Sequence, residues 1–114
     1  MLARRVSTEL LGSAPVFAAL GDETRLRLVA RLCAGEALSI TQLASGAGVT
    51  RQAITKHLHV LAGAGLVRGS RQGREQHWRL EARQLLEARR CLDLISRQWD
   101  QALDRLKDSL ESGT

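Results

Sequence analysis

Side chains that can hydrogen-bond to a base pair follow one another closely after Thr50. In chain order they are Arg51, Gln52, Thr55, Lys56 and His59. Arginine and lysine can donate to guanine O6 and N7, glutamine can bond adenine through both amide atoms, and threonine presents a hydroxyl and a methyl group. Spacings of one, three and four residues place such side chains on one face of a helix. The pattern therefore predicts a helix that enters the major groove of duplex DNA.

The members of this set are expected to divide between bases and backbone, because phosphate contacts usually outnumber base contacts. We expect base contacts from Gln52, Thr55 and Lys56. His59, one turn after Thr55, is placed for a phosphate. Thr50 and Arg51, at the start of the helix, complete the predicted set.

A second group of polar side chains surrounds Gly73. Arg71, Gln72 and Arg74 would project from the tip of a hairpin. The two arginines could enter the adjacent minor groove, where narrow A·T-rich tracts attract guanidinium groups. A solvated loop is the competing interpretation, since charges often merely solvate a loop.

The charge distribution joins these two groups. Between Ser39 and Leu80 there are six Arg or Lys and one acid, Glu75, whereas the rest of the chain balances at eleven against eleven. Such a basic segment indicates a polyanionic partner, most simply DNA. A winged module that binds an acidic protein is the alternative, and footprinting would separate the two.

Composition limits the remaining classes. The chain has 114 residues and 44% apolar content, which predicts one domain, residues 1–114, with a modest core. Phe17, Trp78 and Trp99 are its three aromatic residues, too few for stacking single-stranded bases. Paired carboxylates, a nucleophile beside a base and a phosphate loop are not recognisable, so we expect neither an enzyme nor a cofactor. Because no apolar run resembles a signal peptide or a membrane span, the expected location is the cytoplasm.

The polar helix belongs to a predicted helix-turn-helix over residues 39–62. Ser39 and Gln42 form a capping-box signature that opens a helix to about Ser45, and Thr50 caps a second helix to about Ala62. Small Ala44, Gly48 with positive φ, and Val49 plugging the corner would shape the turn. The second helix should bury Ile54, Leu58 and Leu61. An ordinary helical hairpin is the alternative, and His57 is as well explained by packing as by ligand contact.

Helices are also predicted before this unit. Residues 1–13 have the spacing of an amphipathic helix, and Pro15 suits the first turn of another, running to Leu20. Asp22 is a good N-cap for a third. Its apolar residues Leu26, Val29, Leu32 and Cys33 should be buried, and its three arginines, Arg25, Arg27 and Arg31, should lie on a solvated face.

After the helix-turn-helix, the pattern predicts a wing over residues 66–80 and one long helix over 81–111. Strands 66–71 and 75–80 would flank the tip 72–74. In the long helix Leu85, Leu92, Trp99 and Leu106 recur at sevens. The fold class is therefore mostly α with a small β-hairpin wing, a winged helix-turn-helix with a long C-terminal dimerisation helix. The expected dimer interface comprises Leu10, Leu85, Leu92, Ile95, Trp99, Leu103 and Leu106, and a helix folded back on its own domain is the alternative.

Three stretches together resemble the ArsR/SmtB family of bacterial winged-helix repressors. They are the run from Phe17 to Val29, the helix-turn-helix containing Lys56-His57-Leu58, and the run from Leu61 to Val67. The resemblance covers about residues 15–82, and Arg97-Gln98-Trp99-Asp100 is similar to a branch that does not sense metals. It implies a homodimer that binds double-stranded DNA at an inverted-repeat operator and represses transcription until a signal releases it.

At two key positions the chain departs from the metal sensors of that family. Ser39 and Thr41 stand where arsenic and cadmium sensors carry cysteines, and hydroxyls are poor ligands for soft metals. No histidine follows His77, so the second familiar site also lacks its ligands. Neither site is expected to bind a metal.

The two cysteines, Cys33 and Cys91, leave a second possible signal. Some members of the family resemble this chain in having one cysteine in the second helix and one in the last, with which they sense oxidants or sulfane sulfur. A thiol-redox or sulfur-responsive repressor using Cys33 and Cys91 is therefore the alternative. Against it, a cysteine on an apolar helix face is usually a small packed hydrophobe.

Overall fold

The computed structural model describes the backbone of residues 2–113 and the side chains of residues 11–113. Its elements are α1 (Leu2–Leu20), α2 (Glu23–Leu32), β1 (Leu38–Ser39), α3 (Ile40–Ala44), α4 (Arg51–Gly63), β2 (Val67–Gln72), β3 (Glu75–Leu80) and α5 (Ala82–Glu111). The predicted fold class is confirmed. The side chain of Leu10, an expected interface residue, lies outside the described residues.

The helix-turn-helix is set by caps at both helix starts. The Ser39 hydroxyl accepts from the backbone N–H of Gln42 at 3.2 Å, and the Gln42 side chain accepts from the Ser39 N–H at 2.9 Å. Thr50 caps α4 by accepting from the N–H of Ala53 at 3.1 Å. Between the helices Gly48 has φ +73°, which L side chains rarely adopt. The predicted helices, caps and turn are confirmed.

The second helix of the pair supplies the centre of the core. Ile54, Leu58 and Leu61 are completely buried, as expected from their spacing. Val49 was expected to plug the corner of the turn, but this prediction is wrong because its side chain is exposed. Ala47, earlier in the turn, packs against the core instead.

In α2 the sequence pattern identified only part of the buried face, since Val29 and Leu32 are buried as expected. Leu28, Val29 and Leu32 are buried, whereas Leu26 and Cys33, both expected to be buried, are exposed. Leu26 lies two positions from Leu28, which is more than half a turn around a helix. The core selects the stripe of Leu28 and Leu32, so Leu26 faces outward.

One of the three arginines on α2 differs from expectation. Arg27 pairs with Glu23 on its own helix and is exposed, as expected of a solvated face. Arg31 is exposed as well, although its guanidinium donates to the carbonyl groups of Gln42 and Leu43. Arg25 is half-buried and donates to the carbonyl of Ala19, so the prediction of a solvated side chain is wrong for Arg25.

One continuous helix replaces the two predicted before Gly21. Pro15 lies inside α1 instead of starting a new helix. A proline there cannot donate to the carbonyl four residues earlier, which normally breaks or bends a helix. Buried residues on both sides, Ser13 before it and Val16 and Ala19 after it, show that packing carries the helix through the proline.

The wing is a three-stranded antiparallel sheet in the order β1-β3-β2. The third strand, β1, was not predicted because it has two residues, Leu38 and Ser39, which pair with Trp78 and His77. Val67 and Trp78 are buried, and Leu80 packs against the same core. Gly69 stands opposite Trp78, where a Cβ would lie 3.1 Å from the indole ring. The same Cβ would lie 2.5 Å from Nε2 of Gln76, so a larger residue would displace the Gln76 side chain and crowd the ring.

The last helix extends well beyond the rest of the chain. Near its start Ala88 and Cys91 are buried, and α5 packs against α1 over this region. From Trp99 to Glu111 every residue is exposed. Thirty residues at about 1.5 Å each span roughly 45 Å, which helps to explain the elongated shape of 67 × 29 × 21 Å. None of the helices in residues 2–113 is long and apolar enough to cross a bilayer.

The N-cap of α2 predicts a specific pH dependence of stability. The backbone N–H of Arg25 donates to the Asp22 carboxylate at 3.0 Å and lowers the pKa of Asp22 below its usual 3.8. A lowered folded-state pKa adds stability that is complete above the unfolded pKa and is lost as pH falls through the folded one. Asp22→Asn keeps a capping oxygen without a titrating group. The difference in unfolding free energy between wild type and Asp22→Asn should therefore shrink as pH falls below 3.8.

Urea unfolding of both proteins between pH 6 and about pH 2.5 measures this difference. All other carboxyl groups are common to the two proteins, so they cancel in the comparison. Two curves that stay parallel over the whole range would contradict the assigned cap.

Candidate nucleic-acid interface

The outward face of α4 carries the polar set that the sequence singled out. Arg51, Gln52, Lys56 and His59 are exposed, and Thr55 is half-buried. Ile54, Leu58 and Leu61 lie on the side of α4 opposite Gln52, Lys56 and His59, so these three polar side chains cannot turn inward without carrying the apolar residues into water. Arg51 lies one turn before Ile54, at the start of the helix, and is exposed beside the cleft to the wing. The polar surface is about two and a half turns long.

Two threonines of the set have hydroxyl groups that are already engaged. Thr50 accepts the N–H of Ala53, and Thr55 donates to the carbonyl of Arg51 at 2.9 Å. The donor of Thr55 is therefore used within α4, although its oxygen can still accept and its methyl group can still pack. A base contact by Thr55 would use one of these two properties.

The wing ends in a two-residue loop, Gly73-Arg74. Gln72 pairs with Glu75 as the last pair of the two strands, so Gln72 belongs to β2. The sequence pattern predicted it at the tip, and this prediction is wrong. Gly73 has φ +65° and Arg74 does not have positive φ, the pattern that a type II′ hairpin turn requires. Arg71, Gln72 and Arg74 are all exposed at this end of the ribbon.

A cleft brings the wing tip and the start of α4 together. It has a volume of about 230 Å³, and Arg51 and Arg74 both line it. The start of α3 forms its floor through Ser39, Ile40 and Thr41, and Glu75 and Gln76 complete the wall. Two residues predicted for different grooves of DNA thus border one concave surface, with one carboxylate beside them.

Two further arginines oppose each other across the wing. Arg68 of β2 and Arg79 of β3 are cross-strand partners, and both are exposed. Like charges in this position destabilise a strand pair unless a negative group lies near them. This pairing could not be predicted, because the expected three-residue tip at 72–74 would place residue 68 opposite residue 78. The observed loop has two residues, which shifts the register by one and brings Arg68 opposite Arg79.

The histidines of α4 both contact neighbouring elements. The ring of His59 lies 5.9 Å from that of Trp78 at a tilt of 47°, so the exposed histidine rests against the wing. His57 is half-buried, with Nδ1 3.3 Å from a nitrogen of Arg25 and 3.8 Å from the carboxylate of Asp22. The packed interpretation of His57 is confirmed, and the phosphate contact of His59 stays a prediction.

Comparison with known proteins agrees with this arrangement. A family model described as a helix-turn-helix domain matches residues 20–70. The HTH-type transcriptional regulator YuzN of Bacillus subtilis (strain 168) is 40% identical over 65 residues, which is 52% of this chain and 71% of that protein. An ArsR-like transcriptional regulator from Rhodococcus sp. RHA1 is 40% identical, with a TM-score of 0.68 over 84% of this chain and 90% of that one.

This chain belongs to the ArsR family of transcriptional regulators. The predicted family membership is confirmed, and with it a DNA-binding regulatory function. A possible ArsR-family regulator from Mycobacterium bovis, whose solution structure is a homodimeric winged helix-turn-helix DNA-binding domain, is 26% identical. It has a TM-score of 0.60 and matches over 87% of this chain and 89% of that one.

In this ArsR-family regulator the two hydroxyl residues near α3 have different positions. Ser39 is buried and caps α3, and Thr41 is exposed beside the cleft. Among the described residues no group of three or more His, Cys, Asp or Glu side chains is placed to hold a metal ion.

The two cysteines of the regulator have different environments. Cys33 follows the last residue of α2 and is exposed, whereas Cys91 on α5 is buried, with only 1% of its surface accessible. Both thiols are free. Their role as a redox pair stays a prediction. The expectation that a cysteine on an apolar helix face is packed is met by Cys91 and not by Cys33.

This difference predicts unequal reactivity of the two thiols. In the native protein an aromatic disulfide reagent should titrate Cys33 rapidly and Cys91 only after unfolding, because thiolate attack needs access to the sulfur. Absorbance of the released thiolate, followed for wild type, Cys33→Ser and Cys91→Ser, measures each rate. Equal fast rates for both thiols in the native protein would contradict the burial of Cys91.

Proposed function

We propose that this ArsR-family regulator is a homodimeric repressor that binds an inverted-repeat operator. In each subunit α4 would lie in the major groove, and the wing tip would reach the adjacent minor groove. Gln52, Thr55 and Lys56 would contact bases, and Thr50, Arg51 and His59 would contact the backbone. Arg71, Gln72 and Arg74 would hold the flanking DNA.

The observation that carries this proposal is the shared cleft between α4 and the wing. Arg51 and Arg74 border it from two elements, so one concave surface offers two guanidinium groups to a polyanion. The exposed pair Arg68 and Arg79 adds positive charge to the face of the ribbon opposite the buried Val67 and Trp78. A phosphate backbone in the cleft would stabilise the charges of Arg51 and Arg74 together.

The second support is the unpartnered stripe on α5. Leu92, Trp99, Leu103, Leu106 and Leu110 are all more than half exposed. Steps of seven, four, three and four residues put them on one side of the helix, as in a coiled-coil seam. A second copy of the chain would cover this stripe, and the homodimeric state of the mycobacterial relative favours that occupant.

Some of the expected interface residues serve their own subunit first. Leu85 packs against the core, and Ile95 is half-buried. We propose that the dimer uses mainly the exposed part of α5, from Trp99 onward. The alternative of a helix folded back on its own domain would then apply only to the first turns of α5, where Ala88 and Cys91 are buried. Two subunits joined in this way would read half-sites about 34 Å apart.

The DNA proposal predicts a steep salt dependence and separable effects of two substitutions. Lys56→Ala should weaken binding to a selected operator roughly 5- to 150-fold, as loss of a base contact does. Arg74→Ala should weaken binding to all duplexes and reduce the slope of log affinity against log salt by about one. Fluorescence anisotropy with a duplex enriched by the wild-type protein from a random library measures both.

Arg90→Ala is the matched control. Arg90 is exposed on α5 beside Glu87, so this variant loses the same charge away from the proposed surface. A flat salt response of the wild-type protein, or equal losses for Arg90→Ala and Lys56→Ala, would count against the proposal.

The dimer proposal predicts that one exposed leucine matters more than another on the same helix. Leu106→Asp should raise the dimer dissociation constant by on the order of 100-fold, because it removes a buried leucine and places a carboxylate in the seam. Operator affinity should fall with it, because two linked half-sites bind far more tightly than one. Sedimentation equilibrium and anisotropy measure the two effects.

Leu86→Asp is the control on the opposite side of α5, and the two leucines are 59% and 64% exposed in the subunit. It should leave the dimer intact. A dimer that tolerates Leu106→Asp as well as Leu86→Asp would show that the seam is not the interface.

A further inference from the structure

The helix α2 contacts both helices of the helix-turn-helix through two arginine side chains. It packs against α4, and Arg25 and Arg31 stand six residues apart along it. The guanidinium of Arg31 reaches α3, and that of Arg25 reaches α4. Neither contact was evident from sequence, because each joins residues at least 11 positions apart.

Arg31 holds the C-terminal end of α3. Its Nη1 donates to the carbonyl oxygens of Gln42 at 2.9 Å and Leu43 at 3.0 Å. A helix of five residues leaves most of its carbonyl groups without partners inside the helix. A cation at this end also interacts favourably with the partial negative charge of the helix terminus. The side chain therefore fixes where α3 stops and where the turn to α4 begins.

Arg25 joins the end of α1 to the middle of α4. Its Nε donates to the carbonyl of Ala19 at 2.6 Å, and its Nη1 lies 3.3 Å from Nδ1 of His57. The backbone N–H of the same residue is held by the Asp22 cap at 3.0 Å. The backbone and the Nε of Arg25 are thus both held by hydrogen bonds, and its guanidinium contacts α4 at His57, the residue that follows Lys56.

The apolar core determines which face of α4 points outward, and these contacts fix the orientation of the helix more finely. Burial of Leu28, Leu32, Leu58 and Leu61 drives the helices together, but the hydrophobic effect is non-directional and tolerates small rotations and slides. Hydrogen bonds from a planar guanidinium to named atoms define an angle and a register. A base contact in the major groove depends on such precision, whereas a phosphate contact depends on it much less.

We infer that Arg25 and Arg31 are positioning residues for sequence recognition, which act by fixing the orientation of α3 and α4 on α2. This inference rests on the proposed function, since it assigns a task within DNA binding to residues that do not contact DNA. Arg27 provides the comparison within the same helix. It is 70% exposed, and the hydrogen bond that it makes among the described residues is to Glu23 of α2 itself.

The test measures sequence discrimination in the full chain with Arg25→Ala, Arg31→Ala and the control Arg27→Ala. Two duplexes of equal length are compared, one enriched by the wild-type protein from a random library and one from the unselected library. Arg25→Ala and Arg31→Ala should each lose about tenfold or more in affinity for the enriched duplex, comparable with loss of a base contact. Affinity for the unselected duplex and the salt slope should be unchanged, because no phosphate contact has been removed. Arg27→Ala should match wild type on both duplexes.

Lysine variants separate orientation from charge. Arg25→Lys and Arg31→Lys keep the cation but lose the planar fork, so they should lose discrimination as the alanine variants do. If lysine restores wild-type discrimination, charge alone is sufficient and the inference is overturned. If Arg25→Ala does not fold, His57→Ala removes the same contact from the α4 side and carries the test.

Other outcomes identify which idea fails. A salt slope reduced by about one, with losses on both duplexes, would make the arginine a direct phosphate contact and overturn the positioning role. If the folded fraction of an alanine variant still discriminates between the two duplexes as wild type does, and only its melting temperature is lower, the arginine serves stability alone and the positioning role is also overturned. If Lys56→Ala weakens binding while Arg25→Ala and Arg31→Ala do not, the inference fails and the proposed function stands. If the wild-type protein enriches no duplex, the proposed function itself fails.

Discussion

The arrangement of the whole regulator depends on the burial of one side of α4. Ile54, Leu58 and Leu61 have no exposed surface, and α2, α3 and β2 all pack around them. Because these residues recur at four and three positions, only one rotation of the helix about its axis buries all of them. A rotation by one residue would put a histidine, His57 or His59, in the place of Leu58, and burial of an unpartnered polar ring is costly. The outward direction of Gln52, Lys56 and His59 is therefore a consequence of three apolar residues that DNA would never touch.

The same reasoning connects the wing to this helix. Trp78 of the central strand β3 pairs with Leu38 of β1 and with Gly69 of β2, and its ring lies next to that of His59. A two-stranded ribbon alone is marginally stable, so the buried indole and the short strand β1 anchor it to the domain. The cleft lined by Arg51 and Arg74 exists because both of its walls are attached to one core.

What sequence could predict was local. Ser39, Thr50 and Asp22 each cap a helix by accepting an N–H three residues ahead, and such signals can be read within four letters. The exposed face of α4 followed from helical spacing in the same way, although its DNA contacts remain predictions.

What sequence could not predict depended on packing over distance. Leu26 and Cys33 fitted a helical stripe as well as Leu28 did, and only the core decided between them. Pro15 has a strong local preference for the start of a helix, which packing on both sides of it overrode. The contacts of Arg25 and Arg31 and the pairing of Arg68 with Arg79 arise from tertiary placement and from a loop length that differed by one residue from expectation.

The cross-strand pair Arg68 and Arg79 has a consequence for how this wing can change. A substitution such as Arg79→Glu would replace repulsion with attraction and stabilise the free ribbon. Under the proposed function it would also place a negative charge beside the DNA backbone. Folding stability and activity thus favour opposite residues at these two positions, a conflict common where a surface is shaped for a charged ligand. Substitutions that make the wing more stable without weakening DNA binding are therefore expected on its buried side, near Trp78 and Val67, and not on its charged face.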